Sequence, residues 1–139
     1  MACRLKFDFT DVIGKLDEAM AHAPGAARKG LYDAAGIVAA EVAREAGSLP
    51  FKPSAVGQIV ESVGIMKFDR DPEGGHTSVG CSGYFADSNF PIPFFVREVE
   101  NGKSRIPANP FMKRAANRVK RAAEAAGSAT AEEHIKQFI

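Results

Sequence analysis

Residues 26–46, AARKGLYDAAGIVAAEVAREA, decide the fold class of this 139-residue chain. Apolar side chains recur in this segment at intervals of three and four residues, which predicts a long helix with one buried face. Gly30 and Gly36 lie inside the helix, where each costs about 1 kcal/mol relative to alanine. We therefore expect both glycines to permit close contact with another element, and Gly47 to end the helix. The predicted buried face consists of Leu31, Ala34, Ala35, Ile37, Val38 and Val42.

The segments that follow this helix carry the signals of a small antiparallel sheet. A loop with two prolines is predicted at 48–56. Apolar and polar residues then nearly alternate over 59–68, which predicts a strand. The acidic stretch 69–75 ends in two glycines and predicts a hairpin turn, so 77–83 is the predicted return strand.

Residues 94–116, FFVREVENGKSRIPANPFMKRAA, connect the predicted sheet to a second long helix. The aromatic start, 94–99, is predicted to be either extended or a short helix, with a strand favoured, and 101–108 is predicted to be a basic, proline-bounded arm. Asn109 is a good N-cap residue and Pro110 a good first helical residue, so together they predict where the helix begins. The predicted apolar face of this helix is Phe111, Ala115, Val119, Ala122 and Ala126.

These elements predict one α+β domain over 1–139, with a long N-terminal helix and a C-terminal helix packed on a small antiparallel sheet. Residues 1–25 are a lead-in that contains a short amphipathic helix, predicted at 11–22. The core spans 26–127, and Gly127 is predicted to end the second long helix. A capping-box pattern then predicts a separate short helix within 128–139.

Charge is unevenly distributed along a chain whose formal net charge is only +1. Residues 103–126 contain seven Lys and Arg side chains and the single acid Glu124, a local charge of +6. One interpretation is the solvated outer face of a surface helix. The other is a face that meets DNA phosphates or an acidic partner. The cations in question are Lys113, Arg114, Arg118, Lys120 and Arg121.

The sequence contains no motif that indicates catalysis or a bound metal or cofactor. Its three histidines are isolated, and the two cysteines, Cys3 and Cys81, lack the spacing of a zinc site. Both are expected to be reduced thiols in the cytosol. We therefore predict a protein that is not an enzyme and uses no cofactor, with a small hydrolase based on Cys81 or His76 as a minor alternative. The charged N-terminus predicts neither a signal peptide nor a membrane span.

Three acids, Asp69, Asp71 and Glu73, alternate along the predicted hairpin turn. A calcium loop would add a glutamate that closes the coordination shell, and no such residue follows. The turn Gly80-Cys81-Ser82-Gly83 lacks the residue order of a hydrolase nucleophile elbow. We interpret the acids as a solvated turn and expect no chemistry at Cys81.

The order of these parts resembles the tailed-bacteriophage head–tail joining family, whose members are called neck, tail-completion, minor tail component or minor capsid proteins. The family has an Ala-rich helix, matched here by 29–45, and a Thr-Gly-x-Leu-x-x-Ser-hydrophobic element, matched by 56–63 with Val56 in place of the threonine. An aromatic stretch ending in Glu-x-Gly is matched by 94–102. A Pro-hydrophobic motif that opens the last helix is matched by 106–115.

This resemblance implies a structural virion protein at the head–tail junction of a phage or prophage, present in the bacterial host cytoplasm during assembly. Such proteins form a ring, hexameric in the family, that joins the connector to the tail and leaves a channel for DNA. The implied partners are further copies of the chain and neighbouring head-closure and tail-terminator or tail-tube proteins.

Ring closure needs a contact between two different patches, and a proline-stiffened arm loses little entropy on docking. We therefore predict that the arm packs on an adjacent subunit. The alternative function is a small basic nucleic-acid-associated module that uses the C-terminal helix. The predicted interface residues are Glu100, Gly102, Ile106, Pro107, Pro110 and Phe111.

Overall fold

Two long helices, α1 (Pro24–Ala46) and α4 (Phe111–Lys136), pack against each other, and α1 also packs on a small antiparallel sheet. This computed structural model describes residues 4–7, 24–66, 69–71 and 74–136. The α+β architecture predicted from the sequence is confirmed, and α1 begins two residues before its predicted first residue. The predicted helix at 11–22 lies outside the described residues.

The backbones of α1 and α4 touch where two glycines face each other. A Cβ atom added to Gly30 would lie 2.6 Å from the carbonyl oxygen of Gly127, and one added to Gly127 would lie 2.9 Å from that of Gly30. The contact predicted for Gly30 is therefore confirmed. Gly36 does not share it, since its nearest neighbour, the Cδ1 of Ile65, is 4.0 Å away.

This contact explains why α4 is longer than predicted. Gly127 was expected to end the helix, but α4 continues through it to Lys136, so the separate short helix predicted in 128–139 is wrong. Glycine lacks a side chain and also has a flexible backbone. At Gly127 it is the lack of a side chain that matters, because it allows the two helices to touch. The buried face of α4 is also rotated from the predicted one, since Ala123 is buried and Ala122 is exposed.

The sheet is organised around β4 (Gly74–Cys81), which pairs with every other strand described. β1 (Arg4–Phe7) lies antiparallel on one edge, with Phe7 opposite Thr77. β2 (Val63–Ile65) pairs with the C-terminal half of β4 on the other edge, and β3 (Asp69–Asp71) pairs with the N-terminal half. The β3–β4 pair confirms the predicted hairpin, but its strands include Asp69–Asp71, Gly74 and Gly75, which were predicted as the turn. β4 is buried from Thr77 to Cys81, where it packs on α1.

Helix α2 (Pro53–Ser62) occupies most of the segment where a strand was predicted. The predicted strand, 59–68, is wrong over 59–62, which belong to α2, and is confirmed at β2 (Val63–Ile65), while 67–68 lie outside the described residues. Four apolar residues at Val56, Ile59, Val60 and Val63 also fit the three-and-four spacing of a helix, and Pro53 is a favourable first residue. The helix buries Ile59 completely, which decides between the two patterns.

The strand favoured for 94–99 is also wrong, and the alternative of a short helix is confirmed, because helix α3 (Ile92–Asn101) occupies this segment. Its buried residues are Ile92, Val96 and Val99, a helical spacing that starts two residues before the predicted strand. Gly102 follows with φ of +81°, a left-handed conformation that favours glycine. Its N–H donates to the carbonyl oxygen of Glu98 at 2.8 Å and closes the last turn.

Candidate functional site

The arm predicted at 101–108 is in the structure the loop 102–110, because α3 includes Asn101 and α4 begins at Phe111. This loop, called the arm from here on, is held by hydrogen bonds at several points. The N–H of Lys103 donates to the carbonyl oxygen of Ile106 at 2.8 Å, and the N–H of Ile106 donates back to that of Lys103 at 2.9 Å. The N–H of Asn109 donates to the carbonyl oxygen of Val99 at 2.7 Å. Gly102 lies so close to Ala108 that an added Cβ would be 2.9 Å from the Ala108 nitrogen. The arm is therefore a formed turn that returns onto α3.

Glu100 caps the N-terminus of α4 within its own chain. Its carboxylate accepts a hydrogen bond from the N–H of Met112 at 2.5 Å and another from the N–H of Lys113. Burial raises the pKa of Glu100, although the two N–H donors favour its ionised form. The predicted N-cap, Asn109, instead accepts a hydrogen bond from the Arg114 guanidinium at 3.0 Å through its side-chain oxygen.

The structure leaves only part of the predicted interface on the surface. Phe111 is completely buried in the core of a single chain, so its predicted contact with an adjacent subunit is wrong. Gly102 and Ile106 are half-buried, whereas Pro107 and Pro110 are exposed. The remaining exposed arm residues are Lys103, Ser104, Arg105 and Ala108.

Two of the predicted partner-facing cations form ion pairs with acids on α1. The Arg118 guanidinium lies 2.5 Å from a Glu45 carboxylate oxygen and 3.0 Å from a Glu41 oxygen, and Arg114 lies 3.3 Å from Glu45. Arg44 pairs with Glu41 on α1 itself. These five side chains form the interhelix ion cluster, which links α1 to α4. Glu41 and Glu45 are spaced i, i+4 on α1, and Arg114 and Arg118 have the same spacing on α4.

The cluster changes the titration of one acid strongly. The Arg44 hydrogen bond is the largest effect that lowers the pKa of Glu41, and Arg118 adds to it, so this pKa falls from 4.5 to about 2. Glu41 and Glu45 are 14% and 11% exposed, while the arginines are about half exposed. Exposed ion pairs are individually weak, but a network on two helices can hold their orientation.

Three predicted cations, Lys113, Lys120 and Arg121, are exposed on α4 and form no ion pair with any residue that the structure describes. The salt-dependent part of nucleic-acid affinity scales with the number of phosphates neutralised. Because Arg114 and Arg118 already pair with acids of the same chain, the face available to DNA is smaller than the sequence predicts.

An aromatic surface, defined by Tyr84, Phe90 and Phe94, was not predicted as part of a site. The three side chains are 67%, 42% and 45% exposed, and the rings of Phe90 and Phe94 meet edge to face with centroids 6.2 Å apart. Single exposed apolar residues are common, but a cluster of exposed aromatic rings is typical of a binding surface.

An open pocket of about 280 Å³ adjoins this aromatic surface. Its apolar floor includes Phe85 and Phe95, whose rings pack edge to face at 5.4 Å, and Phe95 also contacts Phe51 at 5.1 Å. Ala55 and Phe90 also line the pocket, and the remaining lining side chains are polar. They are Lys52, Ser54, Gln58, Asp87 and Ser88.

The side chain of Cys81 is 1% exposed, at the end of β4. Burial raises the pKa of this thiol; a hydrogen bond with Ser62 acts against the rise, and the charge of Glu100 adds to it. A thiol needs its ionised form to act as a nucleophile. This environment therefore argues against Cys81 as the nucleophile of a hydrolase.

No group of three His, Cys, Asp or Glu side chains within the described residues has the arrangement to hold a metal ion. Of the three acids of the predicted turn, Asp69 and Asp71 lie on β3, and Glu73 lies outside the described residues. In the same described ranges, no helix combines the length and apolar character needed to cross a membrane.

Comparison with known proteins adds no relative: no family model matches the chain, and neither a characterised protein nor a solved structure matches it significantly. The likeness to head–tail joining proteins therefore depends on the motifs of this sequence.

Proposed function

We propose that this chain is a structural protein of a phage or prophage virion that acts at the head–tail junction. Copies of it assemble through subunit contacts into a ring that joins the connector to the tail. The observation that carries the proposal is the arm, a polar and proline-containing loop that is firmly fixed to α3 and α4 and exposes several side chains. The two motifs that resemble the family, 94–102 and 106–115, include most of the arm and support the same function.

The fastening of the arm is what suits it to assembly. Backbone hydrogen bonds at Lys103, Ile106 and Asn109 hold the loop in one shape before any partner binds. A preformed loop gives up little conformational entropy on binding, so more of the contact energy contributes to affinity. Pro107 further restricts the free loop. The exposed arm residues therefore form a ready donor patch for a neighbouring copy.

The partners that follow from this function are further copies of the chain and the adjoining proteins of the head and tail. Ring symmetry requires one patch to dock on a different patch of the next copy. The hexameric number comes from the family resemblance. Lys113, Lys120 and Arg121 are the cations free to lie near DNA in the channel, and their exposure is the observation that favours the alternative of a basic nucleic-acid-associated module.

The experiment is a measurement of mass by light scattering across protein concentration. Arg105→Glu with Pro107→Glu adds negative charge to the exposed arm and leaves the fastened residues unchanged. Lys120→Glu with Ala125→Glu makes the same charge change at exposed positions of α4 and is the matched control.

We expect the wild type and the control to exceed the monomer mass of 14.8 kDa as concentration rises, and the arm variant to remain a monomer. The proposal is wrong if the wild type stays monomeric throughout, or if the arm variant assembles as well as the wild type. Salt-sensitive binding of duplex DNA by the monomer, lost on neutralising Lys113, Lys120 and Arg121, would favour the alternative function instead.

A further inference from the structure

We infer that the arm of one copy docks on the aromatic surface and adjoining pocket of the next copy. The inference rests on the proposed function and deepens it, because it names the acceptor patch that a ring requires. The occupant is a second copy of this chain, and the contact joins Arg105 and Pro107 of the arm to Phe90, Phe94 and Asp87 of the acceptor.

The two patches lie at opposite ends of α3. Phe94 is in the first turn of this helix, and the arm begins directly after its last residue, Asn101. Eight residues separate Phe94 from Gly102, a rise of about 12 Å along the axis. Because a rigid helix joins donor and acceptor, each copy carries both patches in a fixed relation. That is the arrangement of a head-to-tail contact that repeats around a ring.

The arm is held away from the aromatic surface of its own chain. The N–H of Asn109 is bonded to Val99, and Glu100 is bonded to Met112, so the loop returns along the C-terminal end of α3. Reaching Phe90 within the same chain would require these bonds to break. The arm and the aromatic surface are therefore available to each other only between copies.

The chemistry of the two patches is complementary. Arg105 is exposed and has no ion pair with the described residues, and the same holds for Asp87 beside the pocket. A guanidinium group stacks on aromatic faces and pairs with a carboxylate, so Arg105 suits both Phe90 and Asp87. Proline packs its ring on aromatic side chains, as in other proline-containing ligands. The cation Lys52 also lines the pocket, so the attraction of Arg105 has to come from Asp87, and the test changes Asp87 itself.

The first test is a charge exchange, measured by sedimentation as the association constant. Asp87→Arg and Arg105→Asp each place like charges at every interface, and each is expected to weaken assembly at least roughly tenfold. The double variant restores an opposite-charge pair at every interface and should recover to within about threefold of the wild type. Recovery in the double variant separates a direct contact from damage to the fold. Absence of recovery would overturn the inference.

The second test traps the contact with introduced thiols in a Cys3→Ser background. Cys81 is retained, because it is buried and its pKa is raised. Arg105→Cys protein is mixed with Ser88→Cys protein that carries a mass tag, and the mixture is oxidised. The control replaces the second partner by tagged Lys120→Cys, which is also exposed. We expect the 105–88 disulfide to form several times faster than the 105–120 disulfide.

The two proposals fail differently. If the wild type assembles and the arm variant does not, yet 105–88 and 105–120 disulfides form equally, the acceptor is wrong and the proposed function stands. If the wild type never assembles and neither disulfide forms preferentially, both are wrong.

Discussion

Replacing Gly30 by alanine tests the contact on which the two long helices meet. The new Cβ would lie 2.6 Å from the Gly127 carbonyl oxygen and 3.4 Å from the Cβ of Ala131. Since both obstacles belong to a helix, relief requires α1 and α4 to separate locally by about 0.5 Å or more. Overpacking of this kind costs about 1–3 kcal/mol. The better helix propensity of alanine offsets about 0.5–1 kcal/mol of this loss of stability.

The expected net result for Gly30→Ala is a loss of about 1–2 kcal/mol in the free energy of unfolding, since overpacking outweighs propensity. Urea denaturation followed by far-UV circular dichroism measures it, with an expected midpoint roughly 0.5–1 M lower. Gly36→Ala is the matched control on the same helix, because its nearest neighbour is 4.0 Å away. The control should gain about 0.5–1 kcal/mol from propensity alone. Equal stability of the two variants would refute the backbone contact.

Two further predictions concern acids. Glu100→Ala removes the cap from Met112 and should cost about 1–2 kcal/mol. Glu100→Gln keeps a hydrogen-bond acceptor but cannot ionise. Because burial raises the pKa of Glu100 in the folded state above 4.5, the wild type loses stability as pH rises from 4.5 through that pKa. The glutamine variant should lack this pH dependence of the melting temperature. For Glu41, whose pKa falls to about 2, the stabilising effect is present above pH 4.5 and is lost as pH falls towards 2. Carboxyl NMR should show that pKa rising towards 4.5 in Arg44→Gln, and an unchanged value would mean that the pair does not form.

The long elements were predictable because their patterns repeat over many residues. The apolar spacing in α1 persists for the whole helix and left little choice of structure. The short helices α2 and α3 were mistaken for strands, since a window of six to ten residues fits either period. In α3 the buried set begins at Ile92, between two prolines, and the prediction began at Phe94 and so missed it.

The site was less predictable because its partners are distant in sequence. In the sequence, Gly127 fits either the end of a helix or a close contact between two helices. Its contact with Gly30, which is distant in sequence, distinguishes the two. The ion cluster did leave a signal: Glu41 and Glu45 are spaced i, i+4 on one helix, as are Arg114 and Arg118 on the other. Phe111 was assigned to an interface because arm and helix were read as one segment, whereas the helix begins by burying it.

The central position of β4 has a consequence for how the chain is made. β1 is synthesised first but pairs with Thr77–Gly80, and α1 packs on a helix that begins at Phe111. At 5–20 residues per second, the ribosome needs roughly 4–14 s to pass from Phe7 to Thr77. During that time β1 has no partner strand, and the core cannot close until α4 has also been made. Such long-range closure slows folding, so the nascent chain is exposed to wrong pairing for longer than a helical bundle of this size would be.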